Sequence, residues 1–248
     1  MEIRSTDQSG NIGGGQYGAG IVQPGYAVSD AQGALLRSVF GWMSIGLIVT
    51  ALTSFTVINN IQSMPFLLSP GVFFTLILVE LGLVGFLSFR VNKMEASTAS
   101  FLFLAYSALN GITLAPIAFA YTSESLASTF FIAAGTFGGM AFLGAVTKRN
   151  LDSLGSFLMM GLFGVILASI VNLFMQSSGL NFVLNVVGIL VFVGLTAHDT
   201  NKIKRLGGSV TQDTDDFKRV AVIGALTLYL DFINLFIYLL RFLGDRRN

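Results

Sequence analysis

Long apolar runs separated by short polar clusters dominate this chain. From Ser38 to Val79 no residue is charged, and a polar, proline-bearing stretch from Asn59 to Pro70 splits that run in two. The pattern predicts a first span near Leu35 to Ile58 and a second from Gly71 to about Phe89. After Arg90, Lys93 and Glu95 come a third span, Thr98 to Tyr121, and a fourth, Ser125 to Thr147, separated by the short Thr122-Ser123-Glu124 turn. Lys148, Arg149 and Asp152 precede a fifth span, Leu154 to Gln176; a sixth runs from about Leu180 to Ile203 and a seventh from Val220 to Leu243. These runs match the ~20 residues an α-helix needs to cross hydrocarbon. Buried helices of a water-soluble protein do not recur at that length without charge. The expected fold is all-α, a polytopic membrane protein of seven transmembrane helices over residues 34–248, with six crossings as the fallback.

Composition agrees with the pattern. Of 248 residues 53% are hydrophobic and 11% charged, and the mean hydropathy is +0.75, too little polar surface for a water-soluble fold to cover itself. Lipid bilayer is the expected solvent. Residues 1–33 differ: rich in Gly, Ser and Gln, with neither an apolar run nor a basic leader, they read as a disordered polar N-terminal tail and not a signal peptide. A net charge of +1 without a basic face or an aromatic-basic module argues against nucleic acid as a partner. With no cysteine, disulfides, zinc-thiolate sites and thiol nucleophiles are excluded.

The basic residues predict orientation. Arg4 and Arg37 lie at the amino-terminal end, Arg90 and Lys93 after span two, Lys148 and Arg149 after span four, and five more between spans six and seven, whereas the intervening loops carry none. By the positive-inside rule the amino terminus is cytoplasmic. One conflict stands: seven full crossings put Arg241, Arg246 and Arg247 on the far side, so the last helix either crosses against the rule or is re-entrant.

An ionisable side chain inside a membrane span costs at least ~2.5–3.5 kcal/mol on insertion scales, so each marks a functional hypothesis. Glu80 falls mid-way in span two, Asp199 near the cytoplasmic end of span six and Asp231 in the middle of span seven. In span seven Thr227, Asp231, Asn234, Tyr238 and Arg241 recur at spacings of four and three, on one helical face that must meet protein or water. The rest of that helix is apolar, so it is expected to sit centrally. Partial polar stripes elsewhere include Tyr106, Asn110 and Thr113 in span three, Ser169, Asn172 and Gln176 in span five, and Thr196 with Asp199 in span six. A single Asn or Ser of this kind is commonly interhelical glue.

Each carboxylate has a structural reading, in which a partner such as Arg90 neutralises it, and a functional one. In the functional reading Asp199 and Asp231 share a site. Close like charges resist double ionisation, so the pair holds one proton and titrates as a unit. Losing that proton leaves a hard-oxygen, doubly negative site suited to Ca²⁺, which makes the pair a proton-sensitive cation gate and a possible Ca²⁺ site. His198, the only histidine, precedes Asp199 and titrates near ~6.5 when unperturbed, although neighbouring residues face different sides of a helix. No nucleophile-base-orienter set, histidine metal cluster, phosphate loop or dinucleotide fingerprint is present, so the chain is not expected to be an enzyme. Paired aspartates could also activate water for intramembrane proteolysis, but nothing supports a peptide groove.

Three stretches, Gly111-Ile112-Thr113-Leu114-Ala115-Pro116-Ile117, Asp199-Thr200-Asn201-Lys202-Ile203-Lys204 and Leu228-Tyr229-Leu230-Asp231-Phe232-Ile233-Asn234-Leu235-Phe236, resemble the Bax inhibitor (transmembrane Bax inhibitor motif) family, over about residues 35 to 244 and in its bacterial inner-membrane branch. The resemblance implies a last helix wrapped by the other six and a pH-sensitive calcium leak with Asp199 and Asp231 as the sensor. It implies a latch of Glu80 with, less closely matched, Arg90, and His198 stands where the family pattern has tyrosine. His198, Asn234, Tyr238, Asn110 and Thr113 are the supporting polar residues. Ca²⁺ and protons are the expected partners, and no cofactor is expected beyond Ca²⁺ as permeant or bound ion. Bacterial members also include modulators of a membrane-anchored AAA protease, which gives the alternative of a regulator that does not transport.

Overall fold

The computed structural model describes residues 24–90 and 93–247. Seven long helices run in chain order: α1 (Pro24–Asn59), α2 (Pro70–Arg90), α3 (Ala96–Phe119), α4 (Ser123–Val146), α5 (Asp152–Met175), α6 (Ser178–Gly207) and α7 (Asp215–Leu243). All seven are long and apolar enough to cross a membrane. The predicted spans fall on these helices. Residues 24–33, assigned to the tail by composition, lie in α1, and residues 1–23 of that tail lie outside the described residues. Two short 3₁₀ turns, Ile61–Ser63 and Pro65–Leu68, fill the proline-bearing link between α1 and α2.

Polar residues between the apolar runs set the helix starts. Thr122, Ser177 and Thr214 cap α4, α6 and α7, each hydroxyl accepting a backbone N–H three residues on. Gln176 takes the left-handed conformation (φ 50°) that closes α5 and lets α6 begin two residues later.

Helix α7 is the centre. Of its apolar window 61% of residues are buried, against 11% for α2 and 17% for α5. It packs on α1, α3, α4 and α6; α5 lies outside on α6, and α2 outside on α3. The outer faces expose large apolar side chains, with Phe89 at 88%, Phe174 at 82% and Met160 at 73%, a surface only lipid can cover. Between helices, packing and interhelical hydrogen bonds hold the bundle, since burial from lipid gains little. Small residues allow it: a Cβ at Gly111 would meet the Thr50 carbonyl at 2.5 Å, and one at Gly144 would collide with the Ala197 carbonyl.

The carboxyl-terminal tail fixes the last crossing. The Thr122 N–H donates to the Asp245 carbonyl (3.1 Å) and the Arg247 N–H to the Ala120 carbonyl (3.0 Å), a short antiparallel bridge between the tail and the α3–α4 turn. At the other end Gly207 of α6 abuts Gln32 of α1, and the Arg219 guanidinium at the start of α7 donates to the Met94 carbonyl (3.0 Å). α7 therefore runs the length of the bundle, and Arg246 and Arg247 lie at the end opposite the start of α1.

Candidate functional site

The two carboxylates of α6 and α7 meet. Asp199 and Asp231 are neighbours across the α6–α7 seam. Asp231 is 5% exposed, and its Oδ2 has no hydrogen-bond donor. The Asp199 side chain is 16% exposed and looks toward a cavity of ≈ 520 Å³ that opens between α6 and α7 at their connecting loop. Lys202, Asp216, Arg219 and Thr227 also line that cavity, and Asp199 is its innermost α6 residue. Asp199 thus joins the buried pair to a cavity that opens beside the α6–α7 loop.

Asp199 has a second partner. His198 Nδ1 lies 2.8 Å from Asp199 Oδ1, and its Nε2 lies 4.0 Å from Asp152 Oδ1 at the start of α5. Asp152 is held in turn by the Arg205 guanidinium through a two-pronged ion pair, one arm at 3.1 Å. The ring fits because residue 155 is glycine, where a Cβ would collide with the imidazole. His198 is 9% exposed, so it is buried between α5 and α6.

The stretch Asp199-Thr200-Asn201-Lys202-Ile203-Lys204 also anchors α4. Asn201 Nδ2 donates to the carbonyls of Gly144 and Thr147, both at 3.2 Å, and Lys204 Nζ to that of Thr147 at 3.5 Å, which ties the last turn of α4 to α6. Further along the α7 face, Asn234 Nδ2 donates to the Leu230 carbonyl (2.8 Å), and Tyr238 stacks on Phe192 at 5.8 Å over Gly188.

A second polar network occupies the opposite face of α7. Thr113 Oγ1 donates to Glu80 Oε1 (2.5 Å) and Asn110 Nδ2 to Oε2 (3.4 Å). The Tyr229 hydroxyl donates to Asn110 Oδ1 (3.1 Å) and meets Thr50 Oγ1 at 2.7 Å, and Thr50 Oγ1 donates to the Ser107 carbonyl (2.8 Å). Tyr106 and Phe103 pack their edges on the fully buried Tyr229 ring.

The structure thus brings Asp199, Asp231 and His198 together, and separately Glu80, Asn110 and Thr113. It does not bring Arg90 to either group. Arg90 is exposed at the end of α2, ten residues or about 15 Å of helix from Glu80, and no ion pair joins them among the described residues. The cause is plain: two residues of one straight helix cannot meet across three turns. Thr50, Tyr229, Asp152, Arg205 and Gly155 were missed by sequence reasoning. Tyr229 gave a signal, a phenol off the polar face of α7 whose hydroxyl needs a partner; the others depend on which helices touch.

Two carboxylates fall short of the six to eight oxygens a resident Ca²⁺ takes, and no group of three or more His, Cys, Asp or Glu gathers among the described residues.

Fold and site together define a seven-helix membrane protein with a central last helix and a buried carboxylate pair on its α6 seam. The chain belongs to the Bax inhibitor family: the family described as "Inhibitor of apoptosis-promoting Bax1" matches residues 32–248. Among its relatives is the inner membrane protein YbhL of Escherichia coli K12, 44% identical over 92% of this chain and 96% of YbhL. Uncharacterised proteins of Borreliella burgdorferi (47% identical, 86% of this chain and 92% of that protein) and Rickettsia prowazekii (42%, 86% and 90%) are also similar.

Proposed function

We propose that this protein is a passive, proton-sensitive leak for Ca²⁺ or a similar cation, gated by the proton that Asp199 and Asp231 share. The observation that carries the reading is the buried Asp231 carboxylate, one oxygen of which has no hydrogen-bond partner, beside Asp199, which lines a cavity. A proton between the two oxygens satisfies both and ties α6 to α7. Without it the pair carries two negative charges in a medium of low dielectric, where they repel each other and attract a divalent cation. Acid therefore closes the seam and higher pH loosens it.

The membrane is the bacterial inner membrane, by likeness to YbhL, with the amino terminus cytoplasmic. The face bearing the α2–α3, α4–α5 and α6–α7 connections carries Lys93, Lys148, Arg149, Lys202, Lys204, Arg205, Lys218 and Arg219, against Arg241, Arg246 and Arg247 opposite.

Ca²⁺ flux into proteoliposomes, followed across a pH series, tests the reading. The wild type is expected to leak less as pH falls, and Asp199→Asn and Asp231→Asn to lose that dependence. Variants with wild-type flux and wild-type pH response would overturn it.

A further inference from the structure

A second cavity, of ≈ 350 Å³, opens on the side of the carboxyl-terminal tail, between the end of α5, the start of α6 and the last turns of α7. Its lining includes Asn172, Gln176, Asn181, Asn185, Tyr238 and Arg241, and no carboxylate. Arg241 makes no hydrogen bond or ion pair among the described residues. Asn172 is only 8% exposed; its carboxamide oxygen accepts the Ser177 N–H at 3.0 Å, so its NH₂ group is left as a donor on the cavity wall without a protein acceptor. The first turn of the 30-residue α6 adds the positive end of a helix beside Asn181.

We infer that this cavity binds a phosphate-type oxyanion through the Arg241 guanidinium and the Asn172 amide. The complementarity is chemical. An oxyanion brings negative charge and only acceptors to a wall that supplies a fixed positive charge and unused N–H donors. A metal cation would meet the guanidinium with no carboxylate to offset it. Two sources can deliver such a group. Leu173 of the lining is 63% exposed, and Phe174, Phe182 and Phe242, each next in sequence to a lining residue, are exposed apolar side chains with the Phe182 and Phe242 rings 5.8 Å apart, which suits the chains of a phospholipid whose headgroup enters the cavity. Free phosphate offers the same oxygens without the chains. The inference does not depend on the leak reading, because it concerns the other end of the α6–α7 seam and its readout is binding.

The test uses the purified full chain. Lipid retained from nanodiscs of phosphatidylcholine with and without phosphatidylglycerol is measured by native mass spectrometry, and inorganic phosphate is titrated by thermal shift in phosphate-free detergent. The wild type is expected to select phosphatidylglycerol, to be stabilised by phosphate, or both. Arg241→Gln should bind about tenfold more weakly, since a hydrogen bond to a charged group is lost. Arg241→Lys should fall between, and Arg246→Gln should match the wild type. Selection of phosphatidylglycerol alone assigns the headgroup as ligand, and a response to phosphate alone assigns a soluble anion. No preference for either source, or equal binding by Arg241→Gln and wild type, overturns the inference. Should Arg241→Gln not fold, Asn172→Leu and Arg241→Lys carry the same comparison.

Discussion

Gly155 has no side chain, and the space this leaves is where the His198 ring sits. Gly155→Ala forces the imidazole off Asp199 or pushes α5 off α6. Overpacking of this kind costs about 1–3 kcal/mol, to be read as a lower midpoint of thermal unfolding in detergent. His198→Leu keeps a volume close to that of histidine but removes the nitrogen 2.8 Å from Asp199, so it should alter the pH at which the leak changes far more than the stability. An unaltered pH response would show that the imidazole only fills space. On the other face of α7, Tyr229→Phe deletes one hydroxyl shared by Thr50 and Asn110. The Thr50 hydroxyl still donates to Ser107, but the buried Asn110 oxygen loses its donor, and a loss of about 1–3 kcal/mol is expected by the same melting assay. Asp152→Asn is the contrast: its side chain is 59% exposed, so breaking the pair with Arg205 should leave the midpoint of thermal unfolding close to the wild-type value.

At the scale of elements, the helices were legible because each is written in one local signal, an uncharged run bounded by capping or charged residues. Predicted and observed ends differ by only a few residues from α2 to α5. They differ more at α6 and α7, where amphipathic turns carrying Lys204, Arg205, Asp215 and Asp216 extend the helix beyond its apolar part. The central place of α7 was legible too, since a polar face amid apolar residues cannot turn to lipid. Partner choice was not. Glu80 was visible as a buried charge, but its ties to Thr113 and Asn110 depend on α2 lying against α3, which no local pattern states. That tie has weight because α2 packs on little else. Thr113→Val should leave the Glu80 carboxyl short of its nearest donor and loosen α2 as a unit. The expected outcome is faster amide hydrogen exchange across Pro70–Arg90 with α4 and α6 unchanged.

For the whole molecule, the central α7 and the bridge between the tail and the α3–α4 turn set the start of α1 and the end of α7 on opposite sides. A chain without cysteine makes this simple to check: single cysteines at Lys148 and Arg247 should react with a membrane-impermeant reagent from opposite faces of the same vesicle. Reaction of both from one face would contradict the crossing of α7. The same architecture bears on how the protein is made. Its innermost helix is the last to leave the ribosome, so six segments must already lie in the bilayer while the slot they will enclose still lacks its occupant. Until α7 slides in, Phe103, Tyr106 and the inner flank of α6 lack the helix they pack against, and the nascent protein is an open ring that α7 closes.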